Sequence, residues 1–376
     1  MKFRRRKDNK DGSKEEKLHV ASQWQLIRWK FFRHKLAVIS LAVLAMFYFC
    51  VIFAEFVACY DPHTYSVAFK IAPPQRLHFI DDQGNFSLRP FAYEITKEMD
   101  PKTWKITYKE NRTKKCPLRF LVHGDPYELW GFFHADIHLF GFEGGRCSLL
   151  GRDAMGRDMF SRIIYGTRIS LSIGLVGVAL SFAFGIILGG VSGYFGGRID
   201  LIIQRVTEAV RSIPTLPLWM GLSVALPTHW SITKTYFAIV VILSIVGWTS
   251  LVRMVRGKFM SIREEDFVMA AKLYGASESR IIFKYLLPSF YSHIIASATL
   301  YIPWMILAET SLSFIGLGMQ APAISWGVLL KDAQHVRIIA NAPWILTPGL
   351  FVVLSILAFN FVGDGLRDAA DPYATV

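Results

Sequence analysis

Few residues in this sequence have the types and spacing that catalysis or metal binding requires. His134 and His138 are four residues apart and could share a metal ion on one face of a helix, with His123 as a third ligand. Their Gly- and Phe-rich surroundings favour a loop, so we interpret these histidines as solvated or packed side chains. Neither paired carboxylates nor a Ser/His/Asp arrangement stands out, and the sequence predicts a protein without catalytic residues or a metal site.

A phosphate-binding loop of the type G-x4-G-K-[ST] is also missing from the sequence. The only Gly-Lys pair, Gly257-Lys258, is followed by Phe259, and Val252 stands where the first glycine of the motif belongs. Such a loop holds phosphate through closely spaced backbone N–H groups, which this segment does not provide. If the protein depends on ATP, the nucleotide must therefore be bound by another chain, and no cofactor is predicted here.

Glu309 is an acidic residue in or at the end of an apolar segment. Acidic side chains in membrane segments are costly, and they often mark a functional site. A bent, Gly-containing stretch at 311–318 follows directly. Two roles stay open: Glu309 could hold that bend, or it could lie on a translocation path.

The composition indicates that these residues are positioned by a membrane protein. The 376 residues are 52% hydrophobic, with a mean hydropathy of +0.33, yet the formal net charge is +13. The first 35 residues hold twelve Lys and Arg against four Asp and Glu, directly before an apolar run. A basic flank of this kind is typical of the cytoplasmic side of a first span. The alternative, a nucleic-acid-binding tail, has no accompanying nucleic-acid module.

Apolar stretches with almost no charge predict about six membrane spans. They lie at 36–58, 169–197, 213–226, 236–252, 287–308 and 345–362. The fold class is thus an all-α polytopic membrane protein with both termini in the cytoplasm. Its parts are a basic tail (1–35), a first transmembrane helix (36–58), an extracytoplasmic insert (59–165) and a core of five further transmembrane helices (166–376).

The insert has signals for strands rather than for helices. Apolar residues alternate with polar ones around Ile106 and around Phe120, and turn-forming residues cluster at 81–85 and 110–112. We therefore expect a small β-rich domain. Cys116 and Cys147 belong to it, and an oxidising compartment would permit a disulfide between them. Paired and free thiols both stay open.

The loop between the fourth and fifth spans predicts two short helices. Ser261 and Glu264 fit a capping box, and Gly275 can end the first helix in a left-handed cap. An apolar stripe follows the helical spacing, formed by Phe267, Ala270, Ala271 and Tyr274. This stripe needs a cover, and a groove on a partner protein is the expected one. The alternative is a pair of helices lying on lipid.

This loop resembles the "EAA" loop of permeases in binding-protein-dependent ABC importers. Ala270-Ala271, then Gly275 after three intervening residues, then Leu287-Pro288 match the spacing of that motif, whereas Met269 stands where Glu is usual and Tyr285 where Ile is usual. The resemblance implies that the loop, residues 259–288, contacts an ATPase. The residues that it assigns to this contact are Glu264, Phe267, Met269, Ala270, Ala271, Leu273, Tyr274, Gly275, Ala276, Leu287 and Pro288.

Further segments resemble the oligopeptide/dipeptide branch of that family. They lie at 150–171, 193–197, 308–318, 325–327 and 359–372. The resemblance implies a type I permease fold in the bacterial inner membrane, a second homologous permease, two cytoplasmic ATPase subunits and an extracytoplasmic solute-binding protein. Peptides are the expected substrate. The alternatives are oligosaccharides or another solute and, more remotely, a secondary transporter.

Overall fold

A computed structural model describes residues 23–99, 101–102 and 106–370. Most of the predicted basic tail, residues 1–22, lies outside the described residues. The nine main helices in this part of the chain are α1 (Gln23–Arg33), α2 (Lys35–Ile52), α3 (Met159–Phe195), α4 (Gly197–Ser212), α5 (Thr215–Val224), α6 (Ile232–Ile262), α7 (Asp266–Leu273), α8 (Tyr291–Ile315) and α9 (Thr347–Ala370). Shorter helical segments lie between them, and four strands follow α2.

Five of the described helices are long and apolar enough to cross a membrane: α2, α3, α6, α8 and the helical segment that ends with α9. The predicted third span, 213–226, is not a full-length membrane helix, because α5 has only ten residues. Such a helix is about 15 Å long, half the thickness of the hydrocarbon core. Prolines explain its length: Ile213 is extended before Pro214, with ψ of 127°, and Pro227 follows its end.

The packing of α3 against α6 nevertheless requires a sixth crossing. A Cβ at Gly185 would meet the Leu251 side chain, and one at Gly193 would lie 2.7 Å from the carbonyl oxygen of Arg256. Residue numbers thus increase in the same direction along both helices, which are parallel. The chain must return between them, and α4 and α5 together form this broken crossing.

The two ends of the described chain lie on the same side of the helix bundle. A Cβ at Gly365 in α9 would meet the Cβ of Ala37 in α2 at 2.5 Å, while Phe47 stacks on Phe351. The helices α2 and α9 are therefore antiparallel. The Glu55 carboxylate, just beyond α2, binds Arg168 near the beginning of α3. The loop after α6 consequently lies on the same side as both chain ends.

The insert between α2 and α3 contains the predicted sheet. Four antiparallel strands pair in sequence order: β1 (His78–Ile80), β2 (Phe86–Met99), β3 (Ile106–Leu129) and β4 (Phe133–Phe142). The turn predicted at 81–85 is confirmed by the hydrogen bond from Asp81 N to Asn85 O. The turn predicted at 110–112 is wrong, because β3 continues through it and the register against β2 shifts there. Glu110 and Asn111 stay paired with β2, and the extra residues of the bulge are 112–114, so the strand continues. Trp104, which belongs to the alternation predicted around Ile106, lies outside the described residues.

Candidate functional site

The first helix of the loop, α7, ends where the sequence predicts. Gly275 is left-handed, with φ of 75°. Its N–H donates to the carbonyl of Lys272, and the N–H of Ala276 donates to the carbonyl of Ala271. These two bonds define a Schellman motif, which satisfies carbonyls at the end of a helix. The sharp reversal after α7 depends on a residue that tolerates a positive φ.

The beginning of α7 differs from the prediction. Ser261 lies inside α6, which continues to Ile262, so the Ser261–Glu264 capping box does not form. The N-cap is Glu265, whose side chain makes no capping bond. Glu264 is exposed and meets only the neighbouring Arg263, at 3.3 Å. Tertiary packing extends α6 here, because Val255 and Phe259 are buried under the loop.

One face of α7 is covered by the chain itself. Val268 is fully buried and Ala271 nearly so, in a cluster with Phe259, Ile281 and Phe290. The predicted apolar stripe is therefore divided, because Ala271 belongs to the inner face and Ala270 is only half-buried. This cluster fixes the loop as a compact unit on the end of α6.

The rest of the surface of α7 presents large apolar side chains to solvent. Leu273 and Tyr274 are 88% and 92% exposed, and Phe267 and Met269 are about half exposed. Phe283, in the helical turn Ile281–Leu286 that follows, is exposed as well, at 64%. Sequence analysis missed Phe283, although its helical spacing from the buried Ile281 and Leu286 indicates an outward position. We call these five residues the docking face.

The second helix of the loop leads directly into the membrane. Helical turns run from Glu278 to Arg280, Ile281 to Leu286 and Leu287 to Phe290, and then join α8. The half-buried Leu287 packs against the same cluster, whereas Pro288 is exposed in the first turn of its segment. A movement of the docking face would therefore be transmitted to α8 as well as to α6.

An ion pair connects α6 to the beginning of α4. Arg256 donates from Nε to Asp200 Oδ1 at 2.5 Å and from Nη2 to Asp200 Oδ2 at 2.6 Å. Ser192 at the end of α3 donates its hydroxyl to the same carboxylate. Bidentate pairs of arginine and carboxylate fix both distance and orientation. Three helices are thus joined less than two turns before the end of α6.

Two more cations attach the loop to the end of α3. Arg263 donates from Nη1 to the carbonyls of Gly193 and Tyr194, at 3.2 and 3.3 Å. These carbonyls lie in the last turn of α3, where positive charge is favourable. Lys272 of α7 lies 5.6 Å above the Tyr194 ring. The loop is consequently held by both parallel helices, α3 and α6.

Glu309 lies far from the loop, near the other end of α8. It is fully buried, and its carboxylate accepts hydrogen bonds from Ser313 and Ser325 at 2.8 Å and from Ser170 at 3.4 Å. These hydroxyls come from α8, from the N-cap of the next short helix and from α3. The arrangement suits the role of holding the bend after α8. The role on a translocation path stays a prediction.

Each of the three histidines considered as metal ligands has its own polar partners. His138 is buried, and its ring nitrogens meet the carbonyl oxygens of Ala58 and Asp125. His123 pairs with Asp136 at 2.9 Å, and His134 pairs with Glu128 at 3.5 Å. No group of three potential metal ligands occurs among the residues that the structure describes.

Two family models match the sequence. The model described as the inner membrane component of binding-protein-dependent transport systems matches residues 183–375. The model described as the N-terminal transmembrane domain of oligopeptide transport permease C matches residues 22–74. Together they include all the main helices except residues 159–182, the larger part of α3.

Several curated proteins are similar to this chain. The dipeptide transport system permease protein DppC of Bacillus subtilis is 42% identical over 59% of this chain and 68% of its own length. The oligopeptide transport system permease protein OppC of Haemophilus influenzae is 32% identical over 96% of this chain and 92% of its own length. The second alignment therefore extends through the sheet. Among solved structures, the MetNI methionine ABC transporter in an inward-facing conformation is 20% identical, with a TM-score of 0.45 over 56% of this chain and 97% of that one.

Proposed function

Because this chain belongs to the family of inner membrane components of binding-protein-dependent transport systems, we propose that it is the permease subunit of an ATP-driven importer and forms half of a path for peptides. It is a multi-pass inner membrane protein. The single observation that carries the proposal is the docking face, five exposed apolar side chains on a loop that is rigidly mounted on the membrane helices.

The charge distribution supports a cytoplasmic position for this loop. The docking face lies on the same side as both described chain ends, and that side includes the basic residues of α1 and of the α6 end. Positively charged loops remain preferentially in the cytoplasm. Both termini are then cytoplasmic, and the sheet lies on the opposite side of the membrane.

A cytoplasmic ATPase is the partner that suits the docking face. Leu273 and Tyr274 project without cover, and such apolar anchors bind into a groove on a partner. Two ATPase subunits would serve this chain and a second, homologous permease. Closure of the ATPases on ATP would move the loop, and the attached α3, α6 and α8 would follow, which gives alternating access. Nucleotide must bind the two conformations with different affinity for this to occur.

Peptides are the proposed substrates because the similar proteins are named as dipeptide and oligopeptide permeases. An extracytoplasmic binding protein would deliver them, since the family description names binding-protein-dependent transport systems. The same membrane machinery would also suit oligosaccharides or another solute. The binding protein then decides which solute reaches the path.

The proposal is tested by co-purification of ATPase subunits with Leu273→Asp. This residue is 88% exposed, so the substitution leaves the packing of the loop intact but places a charge in the contact. Leu88→Asp is the matched control, because Leu88 is 86% exposed on β2, on the other side of the membrane. We expect Leu273→Asp to lose the ATPase and Leu88→Asp to retain it.

Peptide uptake into vesicles should fall together with ATPase recovery in the Leu273→Asp variant and remain normal in the control. If Leu273→Asp retains the ATPase and transports normally, the docking face is not the contact and the proposal fails. If the wild-type chain co-purifies with no ATPase and drives uptake from an ion gradient, it is a secondary transporter instead.

A further inference from the structure

The turn between β3 and β4 has an unusual composition and conformation. It consists of Trp130, Gly131 and Phe132, and the pair Leu129 and Phe133 closes it. Trp130 and Gly131 have φ of 55° and 76°, which is the arrangement of a type I′ turn. Asn or Gly normally occupies the first of these positions, and a tryptophan there is strained. Strain of this kind is retained where the side chain has a specific task.

The strained tryptophan is directed at the end of a membrane helix. Trp130 Nε1 donates to the carbonyl oxygen of Ile52 at 2.8 Å. Ile52 is the last residue of α2, where carbonyls have no partner within the helix. The 18 residues of α2 span about 27 Å, close to the thickness of the hydrocarbon core. The turn therefore lies at the boundary between hydrocarbon and headgroups.

The aromatic side chains of the turn continue the lipid-facing surface of α2. Phe49 is 43% exposed on the face of α2 that points away from the bundle, and its ring lies 4.9 Å from that of Phe53. Phe53 in turn lies 5.7 Å from Trp130, and Trp130 lies 6.4 Å from Phe133. Phe132 is the most exposed side chain of the turn, at 83%. The aromatic surface thus runs without interruption from the helix to the sheet.

Polar side chains mark the other limit of this surface. Glu128 and His134, immediately above the turn, form an exposed pair at 3.5 Å. Aromatic residues at the boundary followed by charged residues outside are the pattern of an interfacial belt. We propose that the turn, residues 129–133, is a membrane anchor that inserts Trp130, Phe132 and Phe133 into the lipid interface and fixes the sheet against the bilayer. The inference depends on α2 spanning the membrane, not on the proposed transport activity.

The test uses an environment-sensitive maleimide fluorophore on the full-length chain in lipid nanodiscs. The four native cysteines are buried, so Phe132→Cys is labelled selectively and unsubstituted protein gives the background. Ile106→Cys is the matched control, since Ile106 is 45% exposed at the opposite end of β3. Quenching is measured with phospholipids that carry a nitroxide near the headgroup, and separately with iodide in solution.

We expect lipid nitroxide to quench the probe at position 132 severalfold more than the probe at position 106, and iodide to show the reverse order. A probe at His134→Cys, just above the turn, should give an intermediate value. Equal iodide quenching at 132 and 106 would overturn the proposal. The proposal would also be overturned if the probe at 132 became shielded from both quenchers only after addition of the second permease or the binding protein. In that case a protein, and not lipid, would cover the turn.

Discussion

Arg256 and Asp200 form a bidentate ion pair between α6 and α4, with N–O distances of 2.5 and 2.6 Å. The side chains are 28% and 14% exposed, so the pair is partly shielded from solvent. It joins α6, the helix that leads into the loop with the docking face, to the broken crossing formed by α4 and α5. A force on the loop is therefore transmitted through α6 to the broken crossing as well, by one pair of side chains.

Breaking this pair should uncouple transport from ATPase binding. Arg256→Gln leaves Asp200 without its fork of donors, and a hydrogen bond to a charged group contributes about 1.5–3 kcal/mol. We expect the ATPase to co-purify normally, because the docking face is unchanged, while peptide uptake for each ATP hydrolysed falls. Arg205→Gln is the control, since its pair with Glu208 is highly exposed and contributes little. If Arg256→Gln and wild type take up the same amount of peptide for each ATP hydrolysed, the ion pair does not transmit movement from the loop.

Gly275 should tolerate asparagine better than valine. The space around its missing Cβ is empty, so the cost of a side chain comes only from φ of 75°. Asparagine adopts this conformation readily, whereas a β-branched residue does not, and the difference is about 1–2 kcal/mol. Gly275→Val should therefore displace the docking face and reduce ATPase recovery, and Gly275→Asn should retain most of it.

Gly257→Ala supplies the control for these two variants. Gly257 lies inside α6, and nothing surrounds its missing Cβ either. Alanine in a helix interior is favoured over glycine by about 1 kcal/mol, so this variant should be as stable as wild type or more so. If Gly275→Val recovers as much ATPase as Gly257→Ala, the left-handed cap does not position the docking face.

Local chemistry explains which features were predictable from the sequence. The cap at Gly275 depends on a single residue type at one φ, and the sequence identified it. The capping box at Ser261 failed because burial of Phe259 extends α6 past the local signal. The division of the apolar stripe at Ala271 and the role of Phe283 depend on which face the chain itself covers, and only tertiary packing decides this.

The same distinction applies to the spans and to the insert. Length and apolarity were sufficient for the five long helices, whereas the prolines around α5 turn the predicted third span into half of a broken crossing. Alternation in the sequence indicated strands, but the polar cluster 110–112 does not end β3, because Glu110 and Asn111 pair with β2 and a bulge at 112–114 takes up the extra residues. Trp130 gave no sequence signal for a turn, since tryptophan is unfavourable at its φ.

Glu309→Gln and Glu309→Ala should separate the two roles considered for this residue. Glutamine keeps an acceptor for Ser313 and Ser325, so a role in holding the bend predicts a nearly normal Tm and normal uptake. Alanine leaves those hydroxyls without an acceptor and opens a cavity, at a cost of about 2–5 kcal/mol. The measurement is Tm in detergent together with peptide uptake. Loss of uptake in Glu309→Gln at an unchanged Tm would instead indicate a residue of the translocation path.

Cys116 and Cys147 should form a disulfide when the protein is made in the bacterial membrane. Both are buried in one cluster with Ala92 and Phe142. Burial is the main cause that raises the pKa of the Cys147 thiol, and the neighbouring Cys116 raises it further. The proposed topology puts them in an oxidising compartment, where a disulfide donor accepts the two electrons and two protons that the thiols lose as the S–S bond forms.

Mass spectrometry of a non-reduced digest should recover a cross-linked peptide that contains residues 116 and 147. Reduction should lower the stability of the sheet, because the bond closes a loop of about 30 residues and such a closure contributes about 3–4 kcal/mol. Cys50 supplies the internal control, since it lies inside α2 and should be alkylated only after unfolding. Recovery of two free thiols from freshly isolated membranes would mean that the sheet does not face an oxidising compartment, or that the two sulfurs do not meet.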